Sequence, residues 1–233
     1  MRASEFVSEI QRMPQQSFTG GKEALDIYNP KLHGNLKPLP GSSGLKYNVR
    51  QSDSDYSISI VDTAAGDPEI IGQLDLSHTN NFPLKNAHQV DNITVDEQHR
   101  GQGIAKALYG IYLSIIKEPL IAGSMQTPGG RKNWMSLSTI PGVEVMGYVS
   151  VADRDFDFPD NSAAFGRLLS SLMAAGVEYL GSTGSGVGRD RWFLFPVVPG
   201  KSEMQPAVKK TLSLYTGSDC GTNTGLMARW KGK

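Results

Sequence analysis

Residues 93–109 read ITVDEQHRGQGIAKALY, and the fold depends on where this stretch is cut. Ile93 and Val95 alternate as in a strand, Ile104 and Leu108 recur as in a helix, and Arg100, Gly101, Gly103 and Ala105 fall between them with no acid in the turn. Glycines there remove side chains and leave backbone N–H groups bare at the positive end of a helix, which is the setting a pyrophosphate requires. Arg100 would add a charged contact, Gly103 would let the backbone approach, and Ala105 would keep the first turn open. A merely tight strand-to-helix turn accounts for the spacing equally well.

The flanking sequence places this turn in a sheet-and-helix domain. KYNVRQ, YSISIVD, EIIGQLDL and QVDNITVD are strand candidates joined by short polar turns such as Ala65-Gly66-Asp67-Pro68. A helix from about Gly103 to Lys117 follows, with Ile104, Leu108, Ile111, Tyr112 and Ile115 on one face. Then come LIAG as a buried strand, a helix from Arg131 to Leu137, a strand over 143–151, a helix ending at Gly176 and the apolar strand RWFLFPVV. This order predicts an α+β (mixed α/β) domain over 45–198.

Outside it, residues 1–44 read as a short amphipathic helix over 3–12 followed by an extended arm rich in proline and glycine, and 199–233 as a polar tail with a helix only near 207–214. Both are candidates for contact with a protein partner or a second copy. Lys and Arg total 23, as do Asp and Glu, so no global field recruits nucleic acid or an anionic membrane. The single cysteine, Cys220, excludes an intrachain disulfide and a cysteine-based zinc site, and no metal ligands are expected. With no signal-like or membrane-spanning stretch, a soluble intracellular protein is expected.

Two familiar phosphate loops fit poorly. No Gly-Lys-Ser/Thr is present, and the glycines lack the G-x-G-x-x-G spacing of dinucleotide folds. Ile93 to Ala105 instead resembles the acetyl-coenzyme A motif of the GNAT superfamily of N-acetyltransferases, R/Q-x-x-G-x-G/A after a strand. The resemblance covers roughly 45–150 and reaches toward 198. It implies a GNAT-like fold, a central mixed sheet flanked by helices with extended N- and C-terminal arms, and two strands splayed apart to admit pantetheine. It further implies that the main chain at Ile93 and Val95 pairs with pantetheine, that Arg100, Gly101, Gln102, Gly103, Ile104 and Ala105 hold the pyrophosphate, and that acetyl-CoA is the cosubstrate. The stretch from Ser124 to Trp134, followed by Pro141-Gly-Val-Glu-Val145, is similar to divergent bacteriophage-encoded members, which would place the protein in host cytoplasm or virion.

Acetyl transfer to an amine needs a base for the nucleophile and often an acid for the thiolate. Base candidates are His88, Asp91 and, on the preceding strand, Asp75. Many relatives carry N-x-x-A-x-x-x-Y in the next helix; here Asn133 and Ser136 match, while the tyrosine position falls on Ile140. That leaves Ser138, Tyr148 or solvent as acid. The acceptor, a small amine or a protein amine, is not marked. The alternative is a catalytically inactive GNAT-fold protein that docks a partner through 1–44 and 199–233.

The remaining features read as scaffold. GSTGSGVGRDR (181–191) is expected to be a mobile loop before the last strand, and Asp153, Asp155, Asp157 and Asp160 lack the glycine and closing glutamate of a calcium loop. Trp134 is expected in the core.

Overall fold

The computed structural model describes residues 25–64, 66–123, 128–152, 155–156, 162–185, 189–197, 204–216 and 223–232. The expected helix over 3–12, most of the arm after it, and Thr127, Asp153, Asp157, Asp160 and Cys220 lie outside the described residues.

Alternating side chains build the first half of the sheet. The strands are β1 (Lys37–Pro38), β2 (Leu45–Ser52), β3 (Asp55–Asp62), β4 (Glu69–His78) and β5 (His88–Val95). They pair antiparallel in sequence order. The short helix α1 (Pro30–His33) precedes them, started by the Asn29 side chain accepting from the Lys31 N–H. After β5 the chain makes a 3-10 turn (Glu97–His99) and enters α2 (Ile104–Ile111), which continues as a π-helix over Tyr112–Ile116. The wider π turn swings Ile115 off the buried face, leaving it 46% exposed, while Leu113 takes its place in the core. Lys117, at φ 63°, ends the helix.

The chain then runs through β6 (Leu120–Ile121), α3 (Pro128–Ser136), a 3-10 turn over Leu137–Thr139, β7 (Val143–Ala152), α4 (Ala163–Ala174), β8 (Glu178–Thr183), β9 (Asp190–Pro196), α5 (Pro206–Thr216) and β10 (Asn223–Trp230). The sheet order is β1-β2-β3-β4-β5-β6-β10-β7-β9-β8. Only β5 and β6 pair in parallel among the described strands. The fold class expected from the sequence, a mixed sheet flanked by helices, is the one found.

Two expectations are corrected. Residues 178–183 form a strand that pairs with β9, so 181–183, like Asp190 and Arg191 in β9, are strand and not loop. The stretch read as a polar tail contributes β10, which lies inside the sheet between β6 and β7, with Leu226, Met227 and Ala228 all buried. Its neighbours stand some 80 to 100 residues earlier in the chain, so its role comes from pairing that no local pattern records.

The main core joins α2 and its π extension to one face of β3–β5 and includes Ile58, Ile60, Leu74, Leu108, Tyr112 and Trp134. Trp134 is buried against Tyr109, ring centroids 5.5 Å apart. Gly72 on β4 seats the helix: a Cβ there would stand 2.5 Å from Ile104 Cγ2 and 3.3 Å from Leu108 Cδ1. The first turn of α2 therefore rests on bare strand backbone, directly beside β5.

Candidate active site

β5 has two unlike edges. Along β4 it pairs from His88 to Val95, with a bulge where Asp75 faces Asn92 and Leu76 faces Val90, so that Asp91 is the extra residue. Along β6 it pairs only at His88↔Leu120 and Gln89↔Ile121. The Asp96 N–H donates to Ile71 O, on the β4 side. By the two-residue alternation of a strand, Thr94 also turns its polar groups to β4, while Ile93 and Val95 turn theirs to the edge that β6 has left. Val95 O fits this assignment, since it accepts from Arg100 Nε at 3.3 Å.

The turn after β5 is built by Asp96, whose carboxylate accepts from the Gln98 N–H and from His99 Nδ1 at 2.8 Å. Gly101 and Gly103 have φ of 79° and 83°, where a side chain would be strained, and a Cβ at either would meet nothing within 4 Å. Gly103 caps α2 with no side-chain hydrogen bond, and the N–H groups from Gly101 to Lys106 make none among the described residues. They stand at the positive end of the helix, at the foot of the free β5 edge. Arg100 is half exposed and pairs with Glu97 at 3.3 Å; Gln102 folds back to donate to Gln98 O. Ile104 is buried on Gly72, so only its N–H faces outward, and Ala105 adds little bulk beside it. Across the opening, Lys106 Nζ holds Thr139 Oγ1 at 2.5 Å, tying α2 to the turn after α3. Asn133, on α3, is partly buried. These groups suit the cosubstrate that the sequence resemblance implies: main-chain donors for a pyrophosphate and an unpaired strand edge for an amide-bearing arm.

The three catalytic candidates are not brought together. His88 is 3% exposed and faces the α2 core, where Nε2 donates to Ser54 O at 2.7 Å and Nδ1 meets the Tyr112 hydroxyl at 2.9 Å. Glu118 Oε2 lies 3.4 Å from the same Nδ1. With Tyr56 and His78 packed edge-on, the imidazole is a clamp at the closed end of the β5–β6 wedge. Burial, with the Glu118 carboxylate adding to it, pushes the Tyr112 hydroxyl well above the usual phenol range. Ser138 is exposed beyond α3 and donates to Met135 O. Asp91 is exposed on the opposite face of the sheet, accepting from Ser77 Oγ at 2.8 Å. Beside it Asp75 accepts from Ser57 and Gln73, and Asp75, Asp91 and Ser57 line, with Arg50 and Asp55, a shallow depression of about 200 Å³.

On that same face Tyr148 (β7) is fixed by Phe82 and Trp192, with ring centroids 5.3 Å and 5.9 Å away. Phe82 belongs to the β4–β5 connection, which folds across the sheet to join Ile121, Met146 and Met227. Burial raises the Tyr148 phenol above its ordinary value. Gly72, Gly123 and Gly225, each needed for close approach, do not stand out in the sequence; a lone glycine within an apolar strand run such as EIIGQLDL is the signal that marks the first. Among the described residues no cluster of three or more metal-ligating side chains occurs, and no helix is long and apolar enough to cross a membrane.

No family model and no curated protein matches the chain. Among solved structures, the ribosomal-protein-S18-alanine N-acetyltransferase from Escherichia coli is 12% identical, with 66% of this chain and 77% of that chain covered at a TM-score of 0.25. A putative GNAT-family acetyltransferase from Bordetella pertussis is 10% identical, covering 62% and 66%, also at 0.25. The NatC complex bound to Gag peptide and CoA is similar at 16% identity, covering 61% and 71%, at 0.25. At TM-scores this low, these likenesses carry no argument about the chemistry of the chain.

Proposed function

We propose that the chain is a GNAT-type N-acetyltransferase that transfers an acetyl group from acetyl-CoA to an amine by direct attack within a ternary complex. The observation that carries this reading is the coincidence of two backbone arrays that no strand or helix takes up among the described residues: the β5 edge at Ile93 and Val95, where only Val95 O is engaged, by Arg100 Nε, and the N–H groups of Gly101 to Ala105 at the start of α2. Pantetheine amides pair with the first and the pyrophosphate lies on the second, with Arg100 as a charged contact and Asn133 near the arm. Glycine at 101 and 103 keeps side chains out of that approach.

Asp91 is the base favoured by position. It sits on the bulge, exposed, where the wedge begins to open, whereas His88 has both ring nitrogens engaged in the core. A carboxylate there takes the proton of the attacking amine, and Asp75 and Asp55 nearby favour an acceptor that arrives as a cation. Of the C-terminal arm (199–233) that the inactive-scaffold reading uses, residues 223–230 are spent inside the sheet.

Calorimetric titration with acetyl-CoA tests the reading. The wild type should bind, and Arg100→Ala combined with Gly103→Glu should weaken binding at least about 100-fold, since it removes a cation and places a carboxylate against the pyrophosphate. Absence of binding to a folded wild type would sink it.

A further inference from the structure

We propose that the depression bounded by Arg50, Asp55, Asp75 and Asp91 receives a free diamino carboxylic acid of lysine's length as the acceptor, with its carboxylate on Arg50 and its side-chain amine at Asp91. The proposal rests on the acetyl-transfer reading above and names the acceptor that reading leaves open. Strand register sets the row. Arg50 on β2 stands opposite Ser57 on β3, Ser57 opposite Asp75 on β4, and Asp75 opposite Asn92, next to the bulged Asp91 on β5. Ile58 and Leu74, the sequence neighbours of Ser57 and Asp75, are buried beneath α2, so the row lies on the other face of the sheet. The cavity along it, about 200 Å³, suits a ligand of amino-acid size.

Both signs of charge line this cavity, and they are held differently. The carboxylates accept from neutral donors: Asp75 from Ser57 Oγ at 2.8 Å and Gln73 Nε2 at 3.1 Å, Asp91 from Ser77 Oγ at 2.8 Å, and Asp55 from the His78 N–H at 3.0 Å. Those contacts orient the carboxylates without cancelling their charge. Arg50 is the cation of the lining and makes no hydrogen bond among the described residues; the Asp26 carboxylate is 4.0 Å away, and both side chains are about half exposed. An ion pair that long and that wet contributes little, so the guanidinium keeps its paired donors for a ligand carboxylate. A ligand that answers three carboxylates and one guanidinium carries one carboxylate and more than one ammonium. A diamine leaves Arg50 unanswered, and a monoamino acid leaves the excess of carboxylates unanswered.

Spacing then sets the length. Asp26 Oδ2, the atom nearest Arg50 Nη2, is 3.4 Å from Gln73 Nε2 on β4, so the Arg50 stem leans across β3. Two strand spacings, about 10 Å, remain to β5. An extended lysine covers about 7 Å from carboxylate to side-chain nitrogen, and contact distances at its ends take up the rest. In that pose the α-ammonium lies over Asp75 and the side-chain amine reaches Asp91, where the wedge begins to open.

The test is calorimetry on the whole chain, free and in the presence of CoA, with L-lysine, cadaverine, ε-aminocaproate and Nα-acetyl-lysinamide as probes. Lysine should bind at least about tenfold more tightly than cadaverine, which lacks the carboxylate, and than ε-aminocaproate, which lacks the α-ammonium. The same margin is expected over Nα-acetyl-lysinamide, which presents a lysine as a protein would. Arg50→Gln should remove the advantage over cadaverine, and Asp75→Asn the advantage over ε-aminocaproate, each read beside a melting curve; the ranking of probes on the wild type decides alone if either variant does not fold. Equal binding of lysine and cadaverine would overturn the proposal, as would equal binding of Nα-acetyl-lysinamide, which would point to a protein lysine, or no binding of lysine to either form. A titration with acetyl-CoA keeps the two readings apart. Lysine bound by a chain that ignores acetyl-CoA would remove acetyl transfer and leave the amino acid site, whereas acetyl-CoA bound by a chain that ignores lysine would do the reverse.

Discussion

The two ends of the β5–β6 wedge are made from one strand and do opposite work. At the closed end His88 and Gln89 pair with β6, and the imidazole is clamped by Ser54 O, Tyr112 and Glu118. At the open end Ile93 and Val95 keep the β4 ladder behind them and, among the described residues, present main chain to no other strand. A sheet can thus keep its stability on one edge of a strand and expose binding groups on the other, provided something fixes the angle between them. Here the fixings are the buried histidine network at one end and α2, seated on Gly72, at the other.

The sharpest way to break the comparison is a pair of prolines. Thr94→Pro removes a donor from the buried β4 ladder and should cost about 3 kcal/mol or more, seen as loss of the cooperative melt. Val95→Pro removes a donor from the free edge; it should cost appreciably less stability yet weaken acetyl-CoA binding by at least about tenfold, read by calorimetry. Equal destabilisation by the two would mean that the edges do not differ.

The closed end is tested with alkali. The Tyr112 hydroxyl is held above its ordinary range by burial first and Glu118 second, and burial does the same for Tyr109. In the unfolded chain both ionise near pH 10, so above that the unfolded state holds fewer protons and stability falls as pH rises, by up to about 1.4 kcal/mol per tyrosine per pH unit. Tyr112→Phe should flatten this alkaline limb in denaturant titrations.

Gly72→Val probes the seat of α2. Overpacking against Ile104 should cost about 1–3 kcal/mol and lift the helix start, so that melting temperature and acetyl-CoA affinity fall together. The smallest effect is expected far from the wedge, where Arg229 bridges Glu144 and Glu178. The Arg229 hydrogen bond holds the Glu178 carboxyl below its usual value of 4.5. That contribution is present above the unfolded value and is lost as pH falls through the folded one. With Glu178 45% exposed, Arg229→Gln should reduce stability near neutral pH by about 1 kcal/mol or less, with the difference from the wild type vanishing in acid, and leave cosubstrate binding unchanged.

The difference between the legible and illegible parts of the chain is one of range. Gly101 and Gly103 were readable because a positive φ is a local demand, and β2 to β5 because apolar residues alternate along their sequence, as at Tyr56, Ile58 and Ile60. β10 was not, since Asn223–Trp230 is paired along both edges by strands remote in sequence and buries Leu226, Met227 and Ala228 in succession, with no alternation to detect. His88 looked like an available base because what buries it, Tyr112 and Glu118, arrives through a π turn that sequence periodicity does not announce. Asn133 and Arg100 were placed by motif, and Asp91 by its position near the start of β5; that it is the bulged residue became visible only through pairing with β4.

The central position of β10 also dictates an order of assembly. β6 and β7 each bond to β10 and not to one another, so until residues 223–230 dock the chain holds two separate sheets with raw facing edges. Closure joins segments about 100 positions apart, a contact of high order that nucleates late and slowly. During that interval both edges invite pairing with other chains, and a nascent polypeptide would carry the wedge, with its apex glycine Gly123, well before the strand that completes it.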